Sequence, residues 1–218
     1  MKNVLRLLIA IGSMICGGAA YAGVIYKSAV TVNTAVFSDP NAGQLIAEDF
    51  TLKPGSNSIT GVRWTGVYAS QGPTAPDNFT IELFADIVGA PAMTPFISLF
   101  IGDPGRTDTG IDVFSDDLFA YAVTMAPIIL PSNTTYWISI VNDTAGDLFG
   151  SWAWGSQLFD FGGGIAIRAS DYLPWSPNSA FAQDLMISGP TAIPEPATLV
   201  FLAIGFYVLL GHRRLYGN

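Results

Sequence analysis

Trp152 and Trp154 have the spacing expected of two side chains on one ligand-binding surface. Two residues apart on a strand, both rings would project from the same face. Flat aromatic faces can stack on sugar rings, so the pair predicts a glycan-binding surface. The competing interpretation is core packing, because aromatic residues favour strands and bury large areas.

Three spaced carboxylates form a second candidate site. Asp103, Asp108 and Asp112 lie in a segment rich in turn residues, which we expect to be a loop. Ca²⁺ binds about six to eight oxygen atoms from flexible carboxylates and carbonyls, although this spacing is not that of an EF-hand. The alternative is that these are solvated turn aspartates. Calcium is the one cofactor that the sequence suggests, and no other is predicted.

The sequence excludes most catalytic chemistry from the body of the chain. Cys16 is the only cysteine and His212 the only histidine, and both lie in terminal segments. The body therefore has no serine–histidine triad, no histidine-bound zinc and no thiol nucleophile. Paired carboxylates can hydrolyse glycosides without histidine, but the neighbours Asp116 and Asp117 would face opposite sides of a strand. We expect a protein that is not an enzyme, with a carboxylate-only glycoside hydrolase as an alternative.

The charge of the body limits its partners. Residues 23–190 contain five basic and sixteen acidic residues, a net charge of −11. Such a domain repels nucleic acid and anionic membrane surfaces. Cations and neutral glycans remain compatible with it.

Alternating apolar and polar residues predict strands throughout the body. This period of two runs through 79–85, 119–125 and 136–141 and implies one buried face per strand. Turns containing Gly or Pro separate further candidate strands at 29–37, 44–52, 58–69, 96–101, 149–154, 163–169 and 181–188. We expect an all-β domain over 23–190: a two-sheet antiparallel sandwich, jelly-roll-like in its order.

The N-terminal residues 1–22 predict a secretory signal peptide. Two basic residues precede a short apolar run, and Ala20 and Ala22 form an A-x-A cleavage site. Cys16 raises the alternative of a lipoprotein, but Ile15 stands where a small residue is required. We therefore expect export through the Sec translocon.

The C-terminal residues 191–218 contain a short apolar helix, predicted over 198–211, followed by a basic tail at 212–214. With its flanks the helix is roughly 22 Å long, at ~1.5 Å per residue. This is short of the ~30 Å hydrocarbon core, although arginine side chains can extend the span. Arg213 and Arg214 orient it with the basic end in the cytoplasm and the body outside.

A rigid motif precedes this helix. Pro194 and Pro196 fix the backbone on both sides of Glu195, which is held extended. Motif, short helix and arginines together resemble the PEP-CTERM sorting signal of Gram-negative bacteria. The resemblance implies recognition and cleavage by an exosortase after transient insertion in the inner membrane, with release to the cell surface or outside the cell. The alternative is a plain C-terminal anchor.

The body also resembles, more weakly, a secreted β-sandwich module common in proteins with this sorting signal. The resemblance runs through 47–52, 59–68, 78–81, 136–140, 152–154 and 184–185, and it implies fold and export rather than an activity. We expect an exported, non-enzymatic protein of the cell surface or of an exopolysaccharide-rich, biofilm-type matrix. The alternatives are a glycan-binding module, which could depend on Ca²⁺, and the hydrolase.

Overall fold

The computed structural model describes residues 22–28, 31–69, 72–147, 150–158, 164–178 and 180–190. In these ranges every regular element is a strand, apart from one 3-10 turn at Pro40–Ala42. The all-β prediction is therefore confirmed. None of the described residues belongs to a helix long and apolar enough to cross a membrane. The C-terminal segment 191–218 and residues 1–21 of the predicted signal peptide lie outside the described residues.

The described strands belong to one unit, Ala22–Pro190. In chain order they are β1 Ala22–Lys27, β2 Thr34–Phe37, β3 Leu45–Thr51, β4 Ser58–Tyr68, β5 Phe79–Ala85, β6 Ile97–Gly102, β7 Thr107–Val113, β8 Asp116–Ile129, β9 Thr135–Asn142, β10 Trp152–Leu158, β11 Ile165–Arg168, β12 Ser176–Asn178, β13 Phe181–Gln183 and β14 Leu185–Pro190.

These strands form two antiparallel sheets, as predicted. The first sheet contains β1, β14, β4, β8 and β7, together with β10, β2 and β13. The second sheet has the order β12-β11-β3-β9-β5-β6. The chain passes repeatedly from one sheet to the other, for example between β3 and β4 and between β8, β9 and β10.

The first sheet branches along β4. One edge of β4 pairs with β8. The other edge is shared end to end, because β14 pairs with residues 61–64 and β10 pairs with residues 66–68. Thr65 lies at the junction, where its hydroxyl donates to Asp184 Oδ2 over 2.9 Å. This bond fixes the point at which β10 and β14 diverge.

Aromatic rings from both sheets dominate the core between them. Trp64 and Tyr121 stack with centroids 5.5 Å apart and an interplanar angle of 12°. Phe79 of the second sheet meets Trp64 and Trp152 of the first edge-on, at 5.2 and 5.1 Å. All four rings are buried. Side chains of both sheets thus share one core, as in a sandwich.

The structure differs from the sequence prediction mainly in its exposed strands. The predicted loop around Asp108 and Asp112 is wrong, because both residues lie in β7, which pairs with β8. Most of β7 is exposed, so it lacks the apolar alternation that marks a strand with one buried face. The pattern also missed β1 and the three-residue edge strand β12.

Gly66 gives a direct test of the core packing. A Cβ atom at this position would lie 2.4 Å from Trp152 Nε1. We expect Gly66→Ala to lower the free energy of unfolding by about 1–3 kcal/mol, the usual cost of overpacking, in urea denaturation. Gly146→Ala, where the added Cβ meets open space, is the control. Equal stability of the two variants would contradict the contact between Gly66 and Trp152.

Val88 offers a test of backbone strain. Val88 and Gly89 have φ values of 56° and 82° in the turn after β5, as in a type I′ turn, where Asn-Gly is preferred. Val88 is 99% exposed, so its side chain contributes almost no packing. We expect Val88→Asn to raise the free energy of unfolding by about 1 kcal/mol, the scale of the left-handed penalty. Val88→Ala should give less, and a destabilised Val88→Asn variant would refute the strain.

Candidate functional site

The predicted glycan-binding tryptophans are buried. Trp152 and Trp154 both have 0% exposure and belong to the core between the sheets. Trp154 Nε1 donates to the carbonyl of Asp184 over 3.0 Å. Phe79 of the second sheet packs edge-on against Trp152 with centroids 5.1 Å apart, so the opposite sheet covers the inward face of β10. These rings cannot stack on a sugar, so the prediction is corrected to core packing.

The three predicted calcium ligands also do not form a site. Asp103 Oδ1 accepts a hydrogen bond from Gly105 N at 2.9 Å, and Asp108 Oδ1 accepts one from Gly110 N at 2.8 Å. Asp112 lies opposite Asp117 in the β7–β8 pair. No group of three or more acidic, histidine or cysteine side chains in the described residues could hold a metal ion. We therefore place no calcium site at these aspartates.

Most residues of the export prediction lie outside the described residues. They are Ala20 of the cleavage site, Pro194, Glu195 and Pro196 of the sorting motif, and the orienting Arg213 and Arg214. Ala22 is described, as the first residue of β1 opposite Pro190. The roles predicted for the residues of the cleavage site, the sorting motif and the arginine pair therefore rest on the sequence.

The second sheet has an outer face, opposite the shared core, that carries open grooves. The side chains of Tyr136, Ile138 and Ile140 on β9 point into the shared core. Its alternate residue Trp137 packs on the outer face with Leu45, Ala47, Phe84, Ala166 and Trp175. The sheet thus buries apolar side chains on both faces, which period-two alternation did not predict.

A strap, defined as residues 169–175, brings Trp175 onto this outer face. Trp175 is 8% exposed, and its ring meets Phe84 edge-on with centroids 5.4 Å apart. It packs beside Ala47 and Ala166, which lie opposite each other on β3 and β11. Two small residues at neighbouring positions leave room for the indole.

Arg168 ties the strap to the sheet. Its guanidinium carbon lies 4.2 Å from the centroid of the Trp175 ring, a cation–π contact. The same side chain, 1% exposed, pairs with Glu82 at 3.6 Å and with Asp171. Burial lowers the pKa of Arg168, and the charges of Asp171 and Glu82 oppose that shift. Two carboxylates therefore compensate this buried cation.

One groove on the outer face contains two anchored carboxylates. This groove, called the end groove, is lined by Asp49, Asp86, Thr135, Trp137 and Pro177 and has a volume of about 390 Å³. Asp49 Oδ1 accepts from Gly164 N at 2.7 Å, and Asp86 Oδ1 accepts from Trp137 Nε1 at 2.8 Å. Burial raises the pKa of Asp49; the hydrogen bond from Gly164 lowers it and the charge of Asp86 raises it. The end groove is thus acidic and attracts hydrogen-bond donors.

A second groove, the Phe100 groove, lies beside Phe100 on the edge strand β6. It has a volume of about 300 Å³. Polar and acidic residues line it together with Phe100: Asn78, Thr80, Glu82, Asp143 and Asp171. Phe100 is 76% exposed. Sequence reasoning missed this residue because Phe100 looks like an ordinary aromatic position in a strand.

The chain has little detectable similarity to known proteins. No protein-family model matches it, and no curated protein matches it. Two chains of solved structures do match. One is from the crystal structure of the cysteine protease and lectin-like domains of Cwp84, a surface-layer-associated protein of Clostridium difficile. The identity is 12%, the TM-score is 0.47, and the match covers 69% of this chain but 33% of that chain. A likeness this low supports no inference about function.

Asp49 predicts a dependence of stability on pH. Because its pKa is raised in the folded protein above the ordinary value of 3.8, the folded state holds this proton more tightly than the unfolded state. Its contribution is therefore fully present below pH 3.8 and is lost as the pH rises through the folded value. We expect Asp49→Asn to reduce the gain in urea midpoint between pH 7 and about pH 4.

The control for this prediction is Asp108→Asn, which removes an exposed carboxylate from β7 and so makes the same change in net charge. Its midpoint should follow the pH dependence of the unmodified protein. If Asp49→Asn and Asp108→Asn change the pH profile equally, the burial of Asp49 is not the cause.

Proposed function

We propose that the chain is an exported, non-enzymatic protein of the cell surface or of an exopolysaccharide-rich extracellular matrix. The Sec translocon would export it, and the helix at 198–211 would hold it transiently in the inner membrane. An exosortase would then cut near Pro194, Glu195 and Pro196. The observation that carries this proposal is the order of motif, short apolar helix and arginine pair after a β-sandwich.

The described strands are compatible with such cleavage. Both sheets lie within Ala22–Pro190, and β14 ends at Pro190, before the motif begins. Cleavage near residue 196 would thus remove no strand from the sandwich. The chain also enters β1 at Ala22, so cleavage after this residue would leave nearly all of β1 in place.

We also propose the jelly-roll-like order as the finer class of the sandwich. The repeated passage of the chain between the two sheets supports it, since β3, β5 and β9 belong to one sheet and β4, β8 and β10 to the other. The branch of the first sheet at β4 is a departure from a simple jelly roll, in which each sheet has four strands.

A second candidate function is the binding of neutral glycans. The buried Trp152 and Trp154 no longer support it, and the specific observation that now favours it is an exposed aromatic ring beside carboxylates, at Phe100 and Glu82. The hydrolase alternative would need the Asp49–Asp86 pair of the end groove. Asp49 Oδ1 and Asp86 Oδ1 each accept a hydrogen bond from the protein itself, which accounts for their positions without a catalytic role.

The masses of the exported protein test the sorting proposal. We expect a mature chain that starts after Ala22 and ends near residue 196, measured by intact-mass spectrometry of the protein recovered outside the inner membrane. In a strain that lacks the exosortase, the protein should keep its C-terminal segment and remain in the membrane fraction, because the apolar helix is not removed.

Replacing both Pro194 and Pro196 with alanine should have the same effect as loss of the exosortase, since the extended motif is disrupted. Pro190→Ala, just before the motif, is the matched control and should be processed normally. An exported protein that is intact through Asn218, with or without the exosortase, would overturn the proposal.

A further inference from the structure

Phe100 stands on the outer face of the second sheet with its ring largely open to water. In the β5–β6 pair it lies opposite Thr80. A Cβ atom added at Gly102 would lie 3.6 Å from Phe100 Cε1, so the ring lies over a residue that has no side chain. An aromatic ring that is 76% exposed contributes little to stability through burial.

The polar groups beside this ring are held in place by the protein. Glu82, opposite Ser98 on the strand pair, forms an ion pair with Arg168 at 3.6 Å, and Asp171 pairs with the same guanidinium. The backbone N of Asn78 donates to Asn142 Oδ1 at 2.8 Å. Hydrogen-bonding groups that are fixed before a ligand arrives lower the entropic cost of binding.

The charge of the groove selects among ligands. Three carboxylates line it, from Glu82, Asp143 and Asp171, and the one cation that pairs with two of them, Arg168, is buried. Burial raises the pKa of Glu82, as does the charge of Asp171, whereas Arg168 and Ser98 lower it. Three carboxylates beside one guanidinium leave the groove net negative, which disfavours an anionic ligand. A neutral ligand with many hydroxyl groups can instead donate hydrogen bonds to these acceptors.

A sugar ring matches both parts of the groove. Its C–H face is apolar and suits the flat face of Phe100, while its hydroxyl groups can reach the carboxylates and the hydroxyl of Thr80. The volume of about 300 Å³ lies at the lower limit of small-molecule pockets, which suits one or two sugar units. The open side of the groove would let a longer chain continue past β6.

We propose that the Phe100 groove binds one or two units of a neutral polysaccharide, with Phe100 as the stacking platform and Glu82 and Asp171 as acceptors for sugar hydroxyls. The site rests on the second candidate function given above, glycan binding, and assigns it to the edge of the second sheet. It is independent of the sorting route.

The test compares two phenylalanines of nearly equal exposure. Phe100 is 76% exposed in the groove, and Phe114 is 72% exposed in the β7–β8 turn. The full chain, purified in mild detergent, is titrated with neutral trisaccharides of glucose, galactose and mannose by calorimetry. We expect at least one to bind, Phe100→Ala to weaken binding about tenfold, the scale of a lost ring contact, and Phe114→Ala to have no effect.

Thermal unfolding provides the folding check, since removing an exposed ring should leave the midpoint of Phe100→Ala close to that of the unmodified protein. A second variant, Thr80→Val, should weaken the same sugar while keeping the strand. Anionic polygalacturonate should bind more weakly than the neutral sugars, because the groove is acidic.

Three results would overturn the site. They are the absence of binding to every neutral probe at about 10 mM, which would nearly saturate a site with a Kd of about 1 mM; equal losses for Phe100→Ala and Phe114→Ala; and a preference for polygalacturonate. Each of them leaves the proposed export route untouched, because that route is measured by the mass of the exported protein. Conversely, an unprocessed C-terminus would leave the sugar titration valid.

Discussion

The arrangement of the first sheet depends on one buried carboxylate, that of Asp39. This side chain has 0% exposure, and buried polar atoms need hydrogen-bond partners. Its oxygens accept bonds from Asn41 N at 2.9 Å, Thr144 N at 3.4 Å, Thr144 Oγ1 and Trp152 N at 3.0 Å. Three separate segments are thus held at one point between β2 and β3, and one of them is the start of β10. Once Trp152 is fixed there, alternation along β10 places it and Trp154 in the core. The constraint that organises the fold therefore also removes those rings from any surface.

The second sheet has an apolar cluster on its outer face, and this cluster has to be covered. Trp175 and the strap cover its centre, and Arg168 holds the strap by contacts with an aromatic ring and with carboxylates of both the strap and the sheet. Among the described residues, the end groove and the Phe100 groove both lie on this outer face. Both contain carboxylates already anchored within the fold. The recognition chemistry we propose is thus built from groups that the packing requires in any case.

Local patterns predicted the fold class well because the inward faces of β5, β8 and β9 follow strict alternation. Their inward residues, among them Phe79, Tyr121 and Ile138, are buried as that alternation requires. The site was beyond such reasoning for two reasons. The sequence cannot tell which face of a strand containing aromatic residues is covered, so Trp152 and Phe100 look equally suited to a surface. The centre of the outer face is also covered by the strap, which has no periodicity. Trp175 of the strap contacts Phe84, and Arg168, which holds the strap, pairs with Glu82, so these contacts join residues that are remote in the chain.

The ionisable side chains of the body determine which ligands it can attract. Its body contains neither histidine nor cysteine, so carboxylates are the only groups that titrate near neutral or mildly acidic pH. Burial raises the pKa of four of these carboxylates, those of Asp49, Asp77, Glu82 and Asp184. Carboxylates in this condition lose solvation when the fold forms, and they gain most from ligands or partners that donate hydrogen bonds. Sugar hydroxyls are donors of this kind. The exposed ring of Phe100 beside such acceptors is the feature that favours the proposed neutral glycan.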